Sequence, residues 1–200
     1  MDAFLTDYKF WIMSIGIILS AQNYIYYYKK TLAGEFKPHM FSWGIWALLG
    51  AIAFCAQYSE DAGFGMWQNA FMTLGLTTIT ILAYFMGNKN YMRSDWICLL
   101  FALMAIPLWV VTKNPLWSVI LITIIDVVAT VPTITKSWKN PHQESSRTFA
   151  MAGLICALSI ISLDVFNMIT TFYMGVITIL NFLLALMIMF RRNKIKIMPS

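Results

Sequence analysis

Charge is what this chain has least of. Only 12% of its 200 residues are Asp, Glu, Lys or Arg, about half the share a soluble globular domain carries, which argues against a solvated surface around a conventional core. Cysteine is scarce too. Cys55, Cys98 and Cys156 stand at no metal-ligand or redox spacing, which excludes a zinc module, a dithiol centre or a disulfide scaffold and leaves them as small packing residues. No Gly-rich phosphate loop, nucleophile elbow, zinc helix or paired-carboxylate motif occurs. Soluble-type enzymology has no foothold, the chain reads as no enzyme, and no cofactor is implied. His39 and His142 each follow a proline with no Asp, Glu or Cys at ligand spacing, so no metal site is expected.

Long apolar runs are what the chain has instead: 60% of residues are hydrophobic and mean hydropathy is +0.68. Seven runs stand out, at Trp11 to Tyr28, Met40 to Tyr58, Trp67 to Phe85, Trp96 to Val111, Leu116 to Thr135, Phe149 to Leu163 and Met168 to Phe190. A helix needs about 20 residues to cross about 30 Å of hydrocarbon. The fourth and sixth runs are short by that measure. Continuous apolarity without alternation excludes transmembrane strands. The expected fold class is therefore all-α, an integral membrane protein with seven transmembrane helices in one membrane domain covering residues 1–200.

Positive charge falls on alternate sides of these runs. Twelve of the fourteen Lys and Arg residues lie in the first-to-second, third-to-fourth and fifth-to-sixth connections and the tail. Basic loops stay cytoplasmic, so the N-terminus is expected outside and the C-terminus inside. The other side holds Lys9 and Lys113 with the acids Asp2, Asp7, Glu60 and Asp61. The sequence pI of about 9.1 follows from topology, and the partners implied are the lipid bilayer and a small molecule, not nucleic acid. The first run is preceded by acids rather than basic residues, which is unlike a cleavable signal peptide.

The second half echoes the first. Asn23, Ile25, Lys30 and Glu35 recur at identical offsets as Pro132, Ile134, Lys139 and Glu144. Phe41 and Phe149 open the second and sixth runs, and Gly87-Asn88-Lys89 ends the third much as Arg192-Asn193-Lys194 ends the seventh. Two three-helix repeats, at 8–89 and 116–194, would then be joined by a linker helix at 94–112. Because both repeats run outside to inside, they are parallel, an arrangement known among transporters.

This organisation, with the stretch Pro132-Thr-Ile-Thr-Lys-Ser-Trp-Lys-Asn-Pro-His-Gln-Glu-Ser-Ser146, resembles the PQ-loop superfamily, which includes SWEET sugar transporters and lysosomal amino acid exporters. Thr133 stands where the family's Gln would be, and Asn23 where its first Pro would be. The resemblance implies a carrier for a small polar metabolite, a sugar or amino acid, working by alternating access. Some relatives on this fold are instead receptors or scaffolds. A retinal photoreceptor is excluded, since the seventh run has no lysine before Arg191.

Candidate site residues are the polar groups inside the runs. Asp126 lies near the middle of the fifth run; a charge there costs at least about 2.5 kcal/mol on insertion scales, which marks it for proton coupling or substrate contact. Asn181 lies at comparable depth in the seventh. Sugar-carrying relatives use an Asn on the third and seventh helices, and here Thr77 and Thr78 stand on the third. The expected substrate site is thus Asp126, Asn181, Thr77 and Thr78. Pro132 lacks a backbone donor and is the expected hinge of the fifth helix, with Asn23 at the equivalent place in the first. Gln57, Gln68, Asn69, Asp164 and Asn167 lie near run ends and read as interfacial, as do the aromatic residues, including Trp43, Trp46 and the Tyr24 to Tyr28 cluster.

Overall fold

The computed structural model describes residues 7–36, 38, 40–87, 93–139, 141–143 and 145–197. Lys37, His39, Asn88, Lys89 and Glu144, and the side chains of Cys98, Pro132, Thr135, Lys136 and Gln143, lie outside what is described.

Among the described residues the fold is all-helical: α1 (Tyr8–Leu32), α2 (Met40–Ser59), α3 (Phe64–Met86), α4 (Arg93–Thr112), α5 (Pro115–Lys139), α6 (Ser146–Ile161) and α7 (Met168–Ile197), with a 3-10 turn at Pro141–Gln143. The helix starts and stops follow local chemistry. The Asp7 side chain accepts from the Lys9 backbone N–H at the head of α1, answering an otherwise orphaned donor. Lys29 and Lys30 end α1, where cations suit the carbonyl end of the dipole. Gly34, at φ 76°, then turns the chain so that Glu35 N–H reaches back to Lys30 O. Ser145 caps α6 through Thr148 N–H.

Three helices are long and apolar enough to cross a membrane, at Met40–Ser59, Phe64–Met86 and Met168–Lys194. Shorter apolar stretches lie at Leu99–Thr112, Pro115–Val131 and Ser146–Ile161. The first helix is long, but Gln22, Asn23 and five tyrosines lower its hydropathy. Large apolar side chains are nonetheless exposed on every helix, from Ile15 and Ile18 on α1 to Leu183 and Leu186 on α7.

The helices form two triplets with the same internal packing. In the first, α3 packs against both α1 and α2; in the second, α7 packs against both α5 and α6. Between triplets, α1 meets α6 and α2 meets α5, while α3 meets α6 and α2 meets α7. Each of these contacts maps onto another when the halves are exchanged. The two triplets also run in one sense. Lys9 at the start of α1 pairs with Asp164 beyond the end of α6, Gln57 at the end of α2 bonds Thr170 at the start of α7, and Arg191 near the end of α7 bonds Trp138 near the end of α5. So α1, α3, α5 and α7 begin at one end of the bundle. That end carries Asp7, Glu60, Asp61 and Asp164; the other carries Lys29, Lys30, Arg93, Lys139, Arg147, Arg191 and Arg192.

The linker α4 lies on the periphery against α5 and α2. It approaches through Ala102 and Ala105, both fully buried, and Ser118 on α5 donates to Ala105 O. Small residues permit that close approach between apolar helices.

Candidate cavity and polar seam

Asp126 sits halfway along α5 and is 5% exposed. Its carboxyl accepts from Tyr173 Oη at 3.1 Å and, more weakly, from Thr130 Oγ1 at 3.4 Å, and the Trp46 side chain approaches it as well. Among the described residues no Lys or Arg pairs with it. The carboxyl faces a cavity of about 130 Å³ walled, among the described residues, by every helix except α4. Six aromatic side chains line it, Tyr24, Tyr27, Trp43, Trp46, Phe149 and Tyr173, with Asn23, Asn69 and Asn181 as amides. The lining reaches Trp43 on α2 and Thr148 on α6, both within one turn of the basic ends of their helices. The cavity therefore extends from mid-depth toward the basic end.

Two close contacts shape this wall. Tyr24 lies flat over Gly75, where a Cβ would strike its ring, and its hydroxyl donates to Met72 O at 2.8 Å. On the α6 side, a Cβ at Gly153 would lie 3.2 Å from the Phe182 ring, closer than ordinary van der Waals contact.

At the acidic end the two triplets are joined by a seam of hydrogen bonds. Gln57 Nε2 donates to Thr170 O at 2.9 Å and accepts from Asn69 Nδ2 through its own oxygen at 3.1 Å. Gln68 Nε2 donates to Ile155 O at 2.6 Å, and Ser159 Oγ to Gly65 O at 2.9 Å. The connections themselves bond, Gly65 N–H to Ser162 O and Asp164 N–H to Ala62 O. Asn167 Nδ2 reaches Glu60, and the Lys9 ammonium pairs with Asp164 at 2.9 Å. That hydrogen bond raises the Lys9 ammonium above the usual lysine value. Gly63 is required here on two counts. Its φ of 79° is left-handed, and a Cβ would occupy the space of the Asp164 carboxyl. At the basic end the triplets meet where the Arg147 guanidinium lies 5.0 Å from the Tyr26 ring.

Of the expected site residues, Asp126, Asn181 and Asn23 line the cavity. The Asn181 amide, however, donates to Ile177 O one turn back in its own helix. Thr77 and Thr78 do not belong to the cavity. Both are exposed; Thr77 bonds Thr73 O, while Thr78 bonds Gly75 O and meets Tyr28 Oη. The cavity face of α3 is Asn69, Met72, Leu76 and Ile79, at spacings of three and four, and positions 77 and 78 turn away from it. At Pro132 the backbone of α5 stays helical.

Asn69, Tyr173, Trp46 and Thr130 were not expected in the site. Asn69 is 1% exposed despite lying near the start of α3, because the connections at that end fold over one another. Trp43, Trp46, Tyr24 and Tyr27 face the cavity as well as lying near helix ends. No group of three or more His, Cys, Asp or Glu able to hold a metal occurs among the described residues. The fold and site together define an all-helical protein with a buried, acid-bearing cavity between two like triplets. Compared with known protein families, curated proteins and solved structures, the chain matches none.

Proposed function

We propose that this chain is an integral membrane carrier that moves a small polar metabolite by alternating access. Its seven helices span the cell membrane, N-terminus outside and C-terminus cytoplasmic. The 3 + 1 + 3 reading and the PQ-loop resemblance agree with the exchange-symmetric packing of the triplets. The observation that carries the proposal is Asp126, a buried carboxyl without a cationic partner among the described residues, in a cavity walled by both triplets. Protein interiors hold such a group for a reason, because its burial is costly.

In this reading the seam is the closed outer gate and the conformation faces the cytoplasm. Rocking of one triplet against the other would part the seam and close the aromatic end. Asp126 is then the proton-coupling group. A receptor or scaffold on the same helices would keep the seam shut at all times.

The test is uptake by proteoliposomes from a pooled panel of sugars, amino acids and amines, with and without a pH gradient. A carrier accumulates at least one class, and Asp126→Asn removes the response to the gradient. Uptake of nothing by folded protein refutes the carrier reading; gradient-driven uptake that survives in Asp126→Asn refutes the coupling role.

A further inference from the structure

We infer that the cavity is a binding site for a small monovalent organic cation, an amine with an aromatic or apolar body, which Asp126 holds in exchange for one proton. The exchange across a membrane rests on the carrier reading; the binding chemistry does not.

Among the described residues that line the cavity, the only formal charge is Asp126, and neither Lys, Arg nor His is among them. An amino acid or other zwitterion would bring a carboxylate with no cation to meet it, which the buried setting penalises. A sugar presents a hydroxyl on nearly every carbon and would need a partner for each. This lining is chiefly aromatic and aliphatic. One N–H of the Asn181 amide is already committed to Ile177 O, and one of Asn69 to Gln57, which leaves few free donors for a ring of hydroxyls.

The walls suit a cation. Six aromatic rings from four helices surround the route to the carboxyl, and desolvated aromatic faces attract ammonium groups. Thr148 Oγ1, 9% exposed and at the mouth, has no hydrogen-bond partner and can take a ligand N–H or O–H. The volume, about 130 Å³, is close to the roughly 150 Å³ of an apolar void that admits benzene. It therefore suits one ring, and a ligand with an amine arm would extend along the part of the cavity that runs toward the basic end.

The buried carboxyl then sets the exchange. Left bare, it has no counter-charge; with either a proton or a cation it is neutralised. The titratable groups that share its cavity among the described residues are Tyr173 on α7, Cys156 on α6 and Tyr24 and Tyr27 on α1, phenols and a thiol that are uncharged near neutrality; Trp46 on α2, Asn69 on α3 and Thr130 on α5 do not titrate. None of them can supply the balancing charge. When the ammonium arrives, the Asp126 O–H bond breaks and the proton leaves to water at the basic mouth. When the cation departs, the carboxylate takes a proton back, and total charge in the cavity is conserved.

The experiment uses the full-length protein in detergent, titrated with 2-phenylethylamine and its neutral isostere 2-phenylethanol, at about pH 6 and about pH 8. Tryptophan fluorescence reads binding, and a dye in weak buffer reads proton release. Expected are amine binding at least about tenfold tighter than alcohol, stronger binding at the higher pH, and about one proton released per amine bound. Asp126→Asn should lose both the preference and the pH dependence, with an unchanged melting temperature reporting an intact fold. Equal affinities, absence of binding by either probe, or a preference that survives in Asp126→Asn would each overturn the inference. Amine-selective binding without counterflow in proteoliposomes would retain the site and defeat the carrier. Counterflow of sugars with no amine binding would do the reverse.

Discussion

Replacing Gly65 with alanine should open the cavity toward the acidic end. A Cβ at this position would overlap the Ser159 carbonyl oxygen, a backbone atom, and come within 2.7 Å of a Leu163 methyl. Neither α3 nor α6 can relieve this by a rotamer change, so the helices must part locally. Parting breaks the Gly65 N–H bond to Ser162 O and the Ser159 Oγ bond to Gly65 O. Overpacking costs about 1–3 kcal/mol. The two hydrogen bonds add about 0.6 kcal/mol each if they behave like the average side-chain bond in a membrane protein. Alanine's better helix propensity offsets about 1 kcal/mol at most. A net cost of about 1–3 kcal/mol to the sealed form shifts the equilibrium toward the parted form by roughly fivefold or more. The assay places a reporter, Ile177→Cys, at a half-buried cavity position in a background without the native cysteines. An impermeant maleimide is then applied to one face of sealed vesicles at a time. The sealed parent should label from the basic face; Gly65→Ala should label from the acidic face at least about fivefold faster than the parent. Unchanged protection from the acidic face, together with an unchanged melting temperature, would refute the idea that this seam is the barrier.

Gln57→Leu should lower stability by about 1–3 kcal/mol, because it leaves the buried Asn69 amide and the Thr170 carbonyl without their partner. Asn181→Leu should change stability by less than about 0.5 kcal/mol, since that amide bonds only within its own helix. Melting curves in detergent compare them, and equal losses would show that depth rather than bonding sets the cost. The Lys9 to Asp164 pair raises the lysine above its ordinary 10.5, so its contribution is complete below that value and lost as pH climbs through the raised one. Labelling from the acidic face should therefore accelerate above about pH 10.5, and Lys9→Gln should remove that step while leaving neutral-pH binding of amine unchanged. A step of the same size in Lys9→Gln would assign it to another group.

The apolar runs made helices legible because nothing interrupts them, and Asp126 was legible because a lone acid in such a run has no ordinary reason to be there. Which face of a helix turns inward was not. A helix that is apolar all round has no polar side to mark the outside, so Thr77 and Thr78 appeared as good as Asn69 or Leu76. A signal did exist: Asn69, Met72, Leu76 and Ile79 keep one helical face, as do Tyr173, Ile177, Leu180 and Leu184. The amides near run ends were misread for another reason. Gln57, Gln68 and Asn69 are almost fully buried because the α2–α3 and α6–α7 connections cover them, and such coverage is a tertiary fact. Aromatic side chains near helix ends suit both an interface belt and a cavity mouth, and composition does not separate the two.

Because α4 supplies no wall residue among those described, its service to the architecture is covalent and directional. It returns the chain to the starting side so that the second triplet can repeat the sense of the first. A polypeptide cut between α3 and α4 would still yield two pieces that carry, between them, every side chain around the acid, and the pieces would recognise one another through the same α1–α6 and α2–α5 faces. A single triplet has only half of each such face, so the hollow exists only where two halves are brought together.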